Sequence, residues 1–401
     1  MEKAENALVI GGGVTGPVTA MALRRAGVDA TVYEAYPRRS EGIGGTLSIA
    51  PNGLAALELV GARAAVEAVS EPIPWTAMSF GRRKVRFPQL EDVPAQRQIL
   101  RDDLHRVLHD TAVAEGIRIE HGKRLESVEE HADGVTARFA DGTTATGDIL
   151  VGADGVHSTV RGLIDPAAPG PEYTGVLGFE ALVDRPVPAE AGVMHFTFGR
   201  RAFYLYWKTL DGRTRWAANL PHAEPLRLTE ARAVPAEEWL KVLRETYGDD
   251  DPAGDLLRHI DADRLHITGA THIMPRVPRW HRGRLVLVGD SVHAPSNSSG
   301  QGASLAMESG IELAHCLRDL PNPDAAFAAY ERSRRPRVEK IAADARRINQ
   351  AKAPGPLTRM VMPVVMRLLV RFAMNPERSL GPTHRYRIRW EESAAAPTAA
   401  R

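Results

Sequence analysis

The sequence predicts an α/β protein in which an antiparallel β-sheet interrupts a βαβ-type, Rossmann-like domain, with helices toward the C-terminal end. Three observations support this prediction. Residues 7–34 alternate between an apolar strand, a glycine-rich turn, an amphipathic helix and a second strand. Residues 172–271 contain long aromatic and β-branched runs, which are typical of an antiparallel sheet. Residues 285–348 then return to a buried strand followed by helices.

The length of 401 residues fits two to three domains at roughly 150 residues each. The changes in sequence pattern predict a discontinuous nucleotide-binding domain over residues 1–75, 97–171 and 279–350, and an inserted β-sheet domain over 76–96 and 172–278. A helical segment at 351–392 and a disordered tail at 393–401 complete the prediction.

Each element follows from a local pattern. The first strand ends at the glycines of 11–16, and Gly27 ends the helix that follows them. A helix over 101–115 has apolar residues on one face, and Asp141-Gly142 predicts a hairpin turn after it. The remaining predicted elements are strands at 176–183, 193–198, 203–209 and 215–220 and helices at 235–247, 302–317 and 324–348.

Charge and cysteine content exclude several classes of protein. The 51 Lys and Arg against 50 Asp and Glu leave a net charge of +1, so no basic field is available to attract nucleic acid. The single cysteine, Cys316, excludes an internal disulfide and a multi-thiolate metal site, and we expect a reducing, cytoplasmic location. No metal site is expected elsewhere, since Asp249–Asp251 has no accompanying ligand cluster.

No transmembrane segment and no export signal are expected. The longest apolar run, 360–374, is interrupted by Arg367 and Arg371. This run is expected to form a helix packed across the two domains, and an interfacial membrane helix is the alternative.

A glycine motif follows the first strand. Gly11-x-Gly13-x-x-Gly16, with Val14 and Thr15 inside it, opens a helix, so backbone N–H groups can meet a pyrophosphate without a Cβ in the way. Glu34 stands 18 residues after the last glycine, at the end of the next strand, where an acid binds ribose hydroxyls. The motif predicts dinucleotide binding but does not separate FAD from NAD.

Two later segments distinguish FAD from NAD. Gly152-Ala153-Asp154-Gly155, with Arg161 six residues after Gly155, follows one buried strand. Gly289-Asp290 follows another and leads to Gly300-Gln301-Gly302-Ala303 at a helix start. With the glycine motif they resemble, in order, the three signatures of the single-component FAD-dependent aromatic hydroxylases, the para-hydroxybenzoate hydroxylase-like flavoprotein monooxygenases. The resemblance covers residues 5 to 350.

This resemblance implies cofactors and an activity. FAD would be reduced by NADPH or NADH, O2 would add to the flavin as a C4a-(hydro)peroxide, and a small, largely apolar aromatic or polycyclic substrate would be oxygenated. The oligomeric state and the substrate are left open.

The resemblance also implies roles for individual residues. Glu34 would bind the adenosine ribose, and Asp290 the ribityl chain of the flavin. Arg101 would contact the phosphate and ribityl region, with Arg38 or Arg39 nearer the adenosine. Asp154, Gly155 and Arg161 belong to a motif used for both FAD and NAD(P)H; a structural salt bridge is the alternative for Arg161.

The turn at Gly300–Ala303 places a helix N-terminus where it would stabilise negative charge at N1 and C2=O of the flavin. The preceding loop, Pro295-Ser296-Asn297-Ser298-Ser299, departs from the proline pair common in the family and would lie beside C4a. His293 is interpreted as an anchor of this loop and not as a base.

The substrate pocket is expected on the inner face of the inserted sheet. The alternation of a strand puts Tyr204 and Tyr206 on one face. The predicted lining residues are His195, Phe196, Tyr204, Tyr206, Trp216 and Asn219.

Two other functions stay open at this stage. The altered loop keeps a flavin-dependent dehydrogenase or reductase possible on the same fold. A non-catalytic protein that binds a hydrophobic ligand is the second alternative, and the intact set of glycines and acids argues against it.

Overall fold

The computed structural model describes residues 3–38, 45–80, 83–350 and 375–394. Arg39, the apolar run 360–374 and residues 395–401 lie outside these ranges, so the predictions for them are not addressed further.

The described strands run from residue 6 to residue 287. In chain order they are β1 (Asn6–Ile10), β2 (Asp29–Glu34), β3 (Thr46–Ile49), β4 (Glu71–Ile73), β5 (Trp75–Phe80), β6 (Arg83–Arg86), β7 (Gln96–Leu100), β8 (Arg118–His121), β9 (Leu125–Glu130), β10 (Val135–Phe139), β11 (Thr144–Gly147), β12 (Ile149–Gly152), β13 (Glu172–Val183), β14 (Val193–Phe198), β15 (Phe203–Lys208), β16 (Thr214–Pro221), β17 (His266–Ile273), β18 (His281–Arg282) and β19 (Leu285–Leu287).

The described helices connect and cover these strands. They are α1 (Thr15–Arg25), α2 (Pro51–Leu59), α3 (Arg63–Ala68), α4 (Arg101–Ala114), α5 (Thr159–Ile164), α6 (Leu228–Ala233), α7 (Ala236–Tyr247), α8 (Ala253–Arg258), α9 (Gly302–Asp319) and α10 (Pro323–Gln350), followed by short helices at Pro376–Ser379 and Gly381–His384. Short 3-10 turns occupy Ala262–Arg264, Gly289–Ser291 and Asn297–Ser299.

A six-stranded sheet confirms the predicted α/β domain. Its strand order is β18-β19-β12-β1-β2-β8, and all neighbours are parallel except β18, which runs antiparallel to β19. Its central strands are fully buried apolar runs, as expected for a parallel sheet covered on both faces. The carboxyl ends of β1, β2, β12 and β19 meet at one edge, where ligands of such sheets bind.

A seven-stranded sheet corresponds to the predicted antiparallel sheet. Its order is β17-β13-β16-β15-β14-β5-β6, and only the β14–β5 pair is parallel. The strands β5 and β6 reach this sheet from residues 75–86, although the strands next to them in sequence, β4 and β7, pair elsewhere. The domain boundaries stay a prediction.

Helices α6, α7 and α8 follow the hairpin strands and cover one face of the seven-stranded sheet. A buried apolar cluster joins this face to the helices through residues such as Trp216, Trp239 and Leu243. We call this the closed face. The opposite face of the seven-stranded sheet is directed toward the rest of the molecule.

Two three-stranded sheets complete the architecture, with orders β11-β10-β9 and β3-β7-β4. The second packs on the face of the seven-stranded sheet opposite the closed face, since the Thr46 N–H donates to Glu180 Oε2 at 2.6 Å. Ile73 of β4 likewise packs with Met194 and Trp207.

Helix α9 packs directly against α1. At their contact a Cβ on Gly310 would overlap the side chain of Thr19, so only glycine lets the two helices approach this closely. No described helix has the length and apolar character needed to cross a bilayer. Among the described residues, no group of three or more His, Cys, Asp or Glu side chains is placed to hold a metal ion.

Candidate functional site

The first glycine turn lies between the ends of β1 and β12. Gly11 has a φ of +106°, and a Cβ there would come within 2.5 Å of the Ala153 carbonyl oxygen. A Cβ on Gly16 would overlap the carbonyl oxygen of Gly11. A Cβ on Gly13, in contrast, would meet nothing within 4 Å, so an open surface lies at the N-terminus of α1. This arrangement fits a pyrophosphate group.

Glu34 lies beside this turn at the end of β2. Its Oε2 accepts a hydrogen bond from the Gly12 N–H at 2.6 Å, and its Oε1 accepts one from the Tyr36 N–H at 2.9 Å. The carboxylate is thereby held at the sheet edge where a ribose would bind. Arg38 lies exposed just beyond it.

His105 also touches the turn, and sequence reasoning missed it. Its Nε2 lies 2.6 Å from the carbonyl oxygen of Gly12 and must carry the proton to donate this bond. Burial lowers the pKa of His105, which keeps the ring neutral. The spacing to Arg101, four residues earlier on α4, is the signal that could have found it.

Arg101 lies close enough to Asp290 for its charge to act on the carboxyl. Asp290 lies in the 3-10 turn after β19 and is half-buried. Its partial burial raises the pKa of the carboxyl above the ordinary value, and the charge of Arg101 offsets part of this rise. A Cβ on Gly289 would lie 2.6 Å from Thr15 Oγ1, which puts this turn directly against the start of α1. The first and third motifs are therefore brought together.

In the second motif, residues 152–155, the carboxylate of Asp154 is bound by groups of the protein itself. Asp154 accepts hydrogen bonds from Ser158 Oγ (2.5 Å), the Thr159 N–H (2.7 Å) and the Val160 N–H (3.1 Å), so it caps helix α5. Direct use of Asp154 in cofactor binding stays a prediction.

Arg161 is only 5% exposed and braces two loops. It donates to the carbonyl oxygens of Ser291 (2.9 Å) and Val156 (2.8 Å). Both partners are backbone carbonyls and neither is the carboxylate of a salt bridge, so the role of Arg161 in cofactor binding stays a prediction. Arg161 ties the second motif to the third.

The serine-rich loop forms an ordered turn. Ser299 Oγ accepts from the Gln301 N–H at 3.0 Å, and Gly300 closes the turn with a φ of +60°. Pro295 and Ser296 are buried, whereas Asn297 is exposed. A Cβ on Gly302 would meet nothing within 4 Å, so the N-terminus of α9 at Gly302 and Ala303 presents a second open surface.

His293 anchors this loop, as predicted. Its Nε2 lies 2.7 Å from Ser309 Oγ on α9, and its ring packs against Trp280. Burial lowers the pKa of His293 to about 3, so the ring is neutral and buried away from solvent near pH 7.

A buried charge cluster supports the start of α9, and sequence reasoning missed it as well. Glu308 forms ion pairs with Arg334 (2.7 Å) and Arg337 (2.9 Å) of α10. Asn52 Nδ2 donates to Glu308 Oε1 at 2.7 Å and to Gln301 Oε1 at 2.9 Å. The cluster therefore joins the loop at Gly300 to two other helices.

The substrate expectation is wrong for four residues. His195, Tyr204, Tyr206 and Trp216 are buried on the closed face: the two tyrosines and Trp216 pack in its apolar core, and the ring of His195 stacks on Tyr206. Alternation shows which residues share a face, but the covering helices decide which face is open. The remaining two, Phe196 and Asn219, belong to the other face.

We call that other side of the seven-stranded sheet the open face. The register places Leu205 between Phe196 and Ala217, and Trp207 beside Arg215. The partly exposed residues of this face include Phe196, Leu205, Arg215, Ala217 and Asn219. It forms a mostly apolar surface with a few polar groups, as in small-molecule sites.

Strand β3 links the open face to the loop before α9. Thr46 contacts Glu180 on the sheet, and a Cβ on Gly300 would lie 3.9 Å from Ser48 Cβ. Two residues along a strand span about 7 Å. Strand β3 therefore contacts both the open face and the turn at Gly300.

The Tyr204→Phe variant is expected to keep its FAD content and its substrate-stimulated NAD(P)H oxidation within about twofold of the parent. The hydroxyl donates to the Asp251 carbonyl oxygen at 3.2 Å, so its loss should cost about 1 kcal/mol of unfolding free energy. Denaturant unfolding and steady-state kinetics measure the two effects. Loss of activity at unchanged stability would contradict the assignment of Tyr204 to the closed face.

The fold and the glycine turns gathered at one sheet edge define a Rossmann-type dinucleotide-binding protein. The family described as "FAD binding domain" matches residues 5–345. A 3-amino-4-hydroxybenzoate 2-monooxygenase of Streptomyces cremeus is 31% identical over 357 residues, which cover 85% of this chain and 86% of the relative. An FAD-dependent urate hydroxylase of Klebsiella pneumoniae is 29% identical over 354 residues, covering 85% and 88%.

A solved structure is also similar. The HpxO protein of Klebsiella pneumoniae, complexed with FAD and uric acid, superimposes with a TM-score of 0.80 at 25% identity and covers 95% of this chain and 96% of that one. The chain belongs to the FAD-binding-domain family of aromatic hydroxylases. It is an FAD-dependent monooxygenase.

Proposed function

We propose that this monooxygenase uses NADPH or NADH and O2 to hydroxylate a small, largely apolar aromatic substrate. The observation that carries the proposal is the open face of the seven-stranded sheet, which strand β3 connects to the turn at Gly300 before the N-terminus of α9. Relatives named for aromatic substrates, such as an aminohydroxybenzoate and urate, support the substrate class.

The described residues fit FAD. The open surfaces at Gly13 and Gly302 admit a ligand where a Cβ would fill the space, and each lies at a helix N-terminus that favours negative charge. Glu34 would hold the ribose, Arg101 the phosphate region and Asp290 the ribityl chain. Arg38 is placed to approach the adenosine half.

When bound, FAD supplies the redox chemistry: it accepts a hydride from the nicotinamide and activates O2 for transfer of one oxygen atom to the substrate. The protein supplies position, charge and exclusion of water. The N-terminus of α9 would hold the negative charge of the bound flavin ring, and β3 would lie beside the substrate.

His293 is not placed to act as a general base at the loop. His293 is buried and neutral, and its contact is with Ser309. We therefore propose that substrate positioning on the open face, and not proton abstraction by His293, selects the ring atom that is oxygenated. A cytoplasmic location, as expected from the single cysteine, is part of the proposal.

The proposal is tested with purified, FAD-loaded protein under 18O2. Phenols and polycyclic aromatics are screened for stimulated oxidation of NADPH and NADH, and products are examined by mass spectrometry. One 18O atom per product molecule is the expected result. Product without 18O would favour a dehydrogenase, and a colourless protein that FAD cannot reconstitute would favour a ligand-binding protein.

A further inference from the structure

The last described stretch of the chain, residues 375–394, packs against helices α9 and α10, and we call it the C-terminal segment. Its Ile388 and Trp390 belong to the same buried apolar cluster as the strands of the parallel sheet. Arg337 of α10 and Arg318 of α9 each donate hydrogen bonds to backbone carbonyls of this segment. The segment therefore has defined contacts with both helices that follow the third motif.

Arg337 joins the C-terminal segment to the buried charge cluster at the start of α9. Its Nε and Nη2 donate to the two carboxylate oxygens of Glu308, both at 2.9 Å. Its Nη1 and Nη2 also donate to the carbonyl oxygens of Pro382 and Thr383, at 3.1 and 3.2 Å. The Tyr386 ring covers one face of the guanidinium, with 3.9 Å between Cζ and the ring centre. The planar group is thus held at its edges and on one face, which a flexible ammonium group could not reproduce.

Tyr386 also lies beside Arg334, the second partner of Glu308. The Cζ atom of Arg334 is 5.6 Å from the centre of the Tyr386 ring, and the Arg334 side chain is fully buried. An aromatic ring over a guanidinium attracts its charge and keeps water away from it. Because ion pairs are stronger where water is excluded, the ring strengthens the hold of both arginines on Glu308.

From Glu308 the hydrogen bonds continue to the residue that precedes α9. Asn52 Nδ2 donates to Glu308 Oε1 at 2.7 Å and to Gln301 Oε1 at 2.9 Å. Gln301 is the N-cap of α9 and stands directly before Gly302. These contacts form one continuous set from the C-terminal segment to the helix N-terminus where the proposed function places the flavin ring.

We propose that Tyr386 is a positioning residue for the flavin: by packing on Arg337 it fixes the N-terminus of α9 and so raises the reduction potential of the bound FAD. This inference rests on the proposed function, since it places the flavin ring at that helix N-terminus. Reduction adds negative charge to the pyrimidine edge of the ring, and a helix N-terminus held in place stabilises that charge. A helix N-terminus that moves loses part of this stabilisation, so the reduced flavin binds less tightly.

The test compares the midpoint potential of bound FAD in the parent holoenzyme and in FAD-loaded Tyr386→Leu, measured against a reference dye. Loss of the ring over Arg337 should weaken the binding of reduced FAD, relative to oxidised FAD, by about 3- to 10-fold. A tenfold change corresponds to about 30 mV for a two-electron couple, and the potential should become more negative. Tyr386→Phe keeps the ring and should retain the parent potential.

Trp390→Leu is the matched control, because it removes an aromatic ring from the same segment at the far end of α9. Trp390 is 8% exposed, and the Cζ atom of Arg318 lies 4.9 Å from its ring. Arg318 stands about 24 Å from Gly302 along the helix axis, at about 1.5 Å per residue. This variant should lower the melting temperature about as much as Tyr386→Leu does, yet keep the parent potential.

Arg337→Lys tests the link between the C-terminal segment and Glu308 directly. The ammonium keeps a positive charge beside Glu308 but loses the fork that holds the carboxylate and the backbone carbonyls together. The potential should shift in the same direction as in Tyr386→Leu, and the double variant should show little further shift, because both changes break one set of contacts. If Tyr386→Leu does not fold, the potential of Arg337→Lys decides the question alone.

The parent potential in both Tyr386→Leu and Arg337→Lys would overturn the inference, and so would equal shifts in Tyr386→Leu and Trp390→Leu. Gly302→Ala tests the placement of the flavin separately: its Cβ meets no protein atom within 4 Å, so weaker FAD binding is expected only where the ring lies at this turn. Normal FAD binding by Gly302→Ala would remove both the placement and this inference. Weak binding by Gly302→Ala, with the parent potential in Tyr386→Leu, would remove this inference alone.

Discussion

The Gly13→Ala variant is expected to fold normally and to bind FAD at least about 100-fold more weakly, a loss of about 2.7 kcal/mol. In the protein alone a Cβ at this position meets no atom within 4 Å, so the substitution costs the fold little. The same methyl group would stand at the N-terminus of α1, where the pyrophosphate must approach the backbone N–H groups. Fluorescence titration of the apoprotein with FAD measures the affinity.

Two matched glycine substitutions separate ligand contact from folding. Gly170→Ala also adds a methyl group in open space, but on an exposed loop, and should change neither affinity nor melting temperature. Gly16→Ala should lower both, because its Cβ would overlap the Gly11 carbonyl oxygen. Normal FAD affinity in Gly13→Ala would show that the phosphates bind elsewhere, and an unfolded apoprotein would show that Gly13 is structural.

Local patterns in the sequence predicted the elements that hold the cofactor. The strand, glycine turn and acid of the first βαβ unit depend on contacts within 30 residues, and the structure places Gly11, Gly16 and Glu34 together as that spacing requires. The strand at 193–198 was predicted to the residue, because alternation and turn residues define it without reference to the rest of the chain.

Long-range packing explains what the sequence could not predict. Tyr204 and Tyr206 do share a face, but the helices between Leu228 and Arg258 cover that face, and no local pattern in the strand predicts this. Arg161 donates to a carbonyl 130 residues away, and Asn52 donates to Glu308 across 256 residues. Such partners become visible only when the sheets are assembled.

The Glu308→Ala variant is expected to lose about 3–5 kcal/mol of unfolding free energy, the largest stability effect among these substitutions. Glu308 is 1% exposed and Arg334 is fully buried, so removal of the carboxylate leaves a buried guanidinium without its counter-ion. The start of α9 should loosen as well, since Asn52 links Glu308 to Gln301. Urea unfolding with and without FAD measures both effects.

Glu339→Ala is the control for this prediction. Glu339 also pairs with an arginine of α10, Arg335 at 3.0 Å, but its side chain is 38% exposed, so its loss should cost less than about 1 kcal/mol. Equal losses for Glu308→Ala and Glu339→Ala would show that burial of the cluster does not determine its contribution.

The same cluster predicts a dependence of stability on pH. Burial raises the pKa of Glu308, but the charges of Arg334 and Arg337 outweigh it and hold the pKa below its ordinary value. A carboxyl whose pKa is lower in the folded protein stabilises it above the pKa of the unfolded chain, and this contribution is lost as the pH falls through the folded pKa. Glu308→Gln cannot titrate, so its unfolding free energy should fall less than that of the parent between pH 7 and acid conditions. Parallel curves for the two proteins would show that the pKa of Glu308 is the same in the folded and the unfolded protein, so that Arg334 and Arg337 do not lower it.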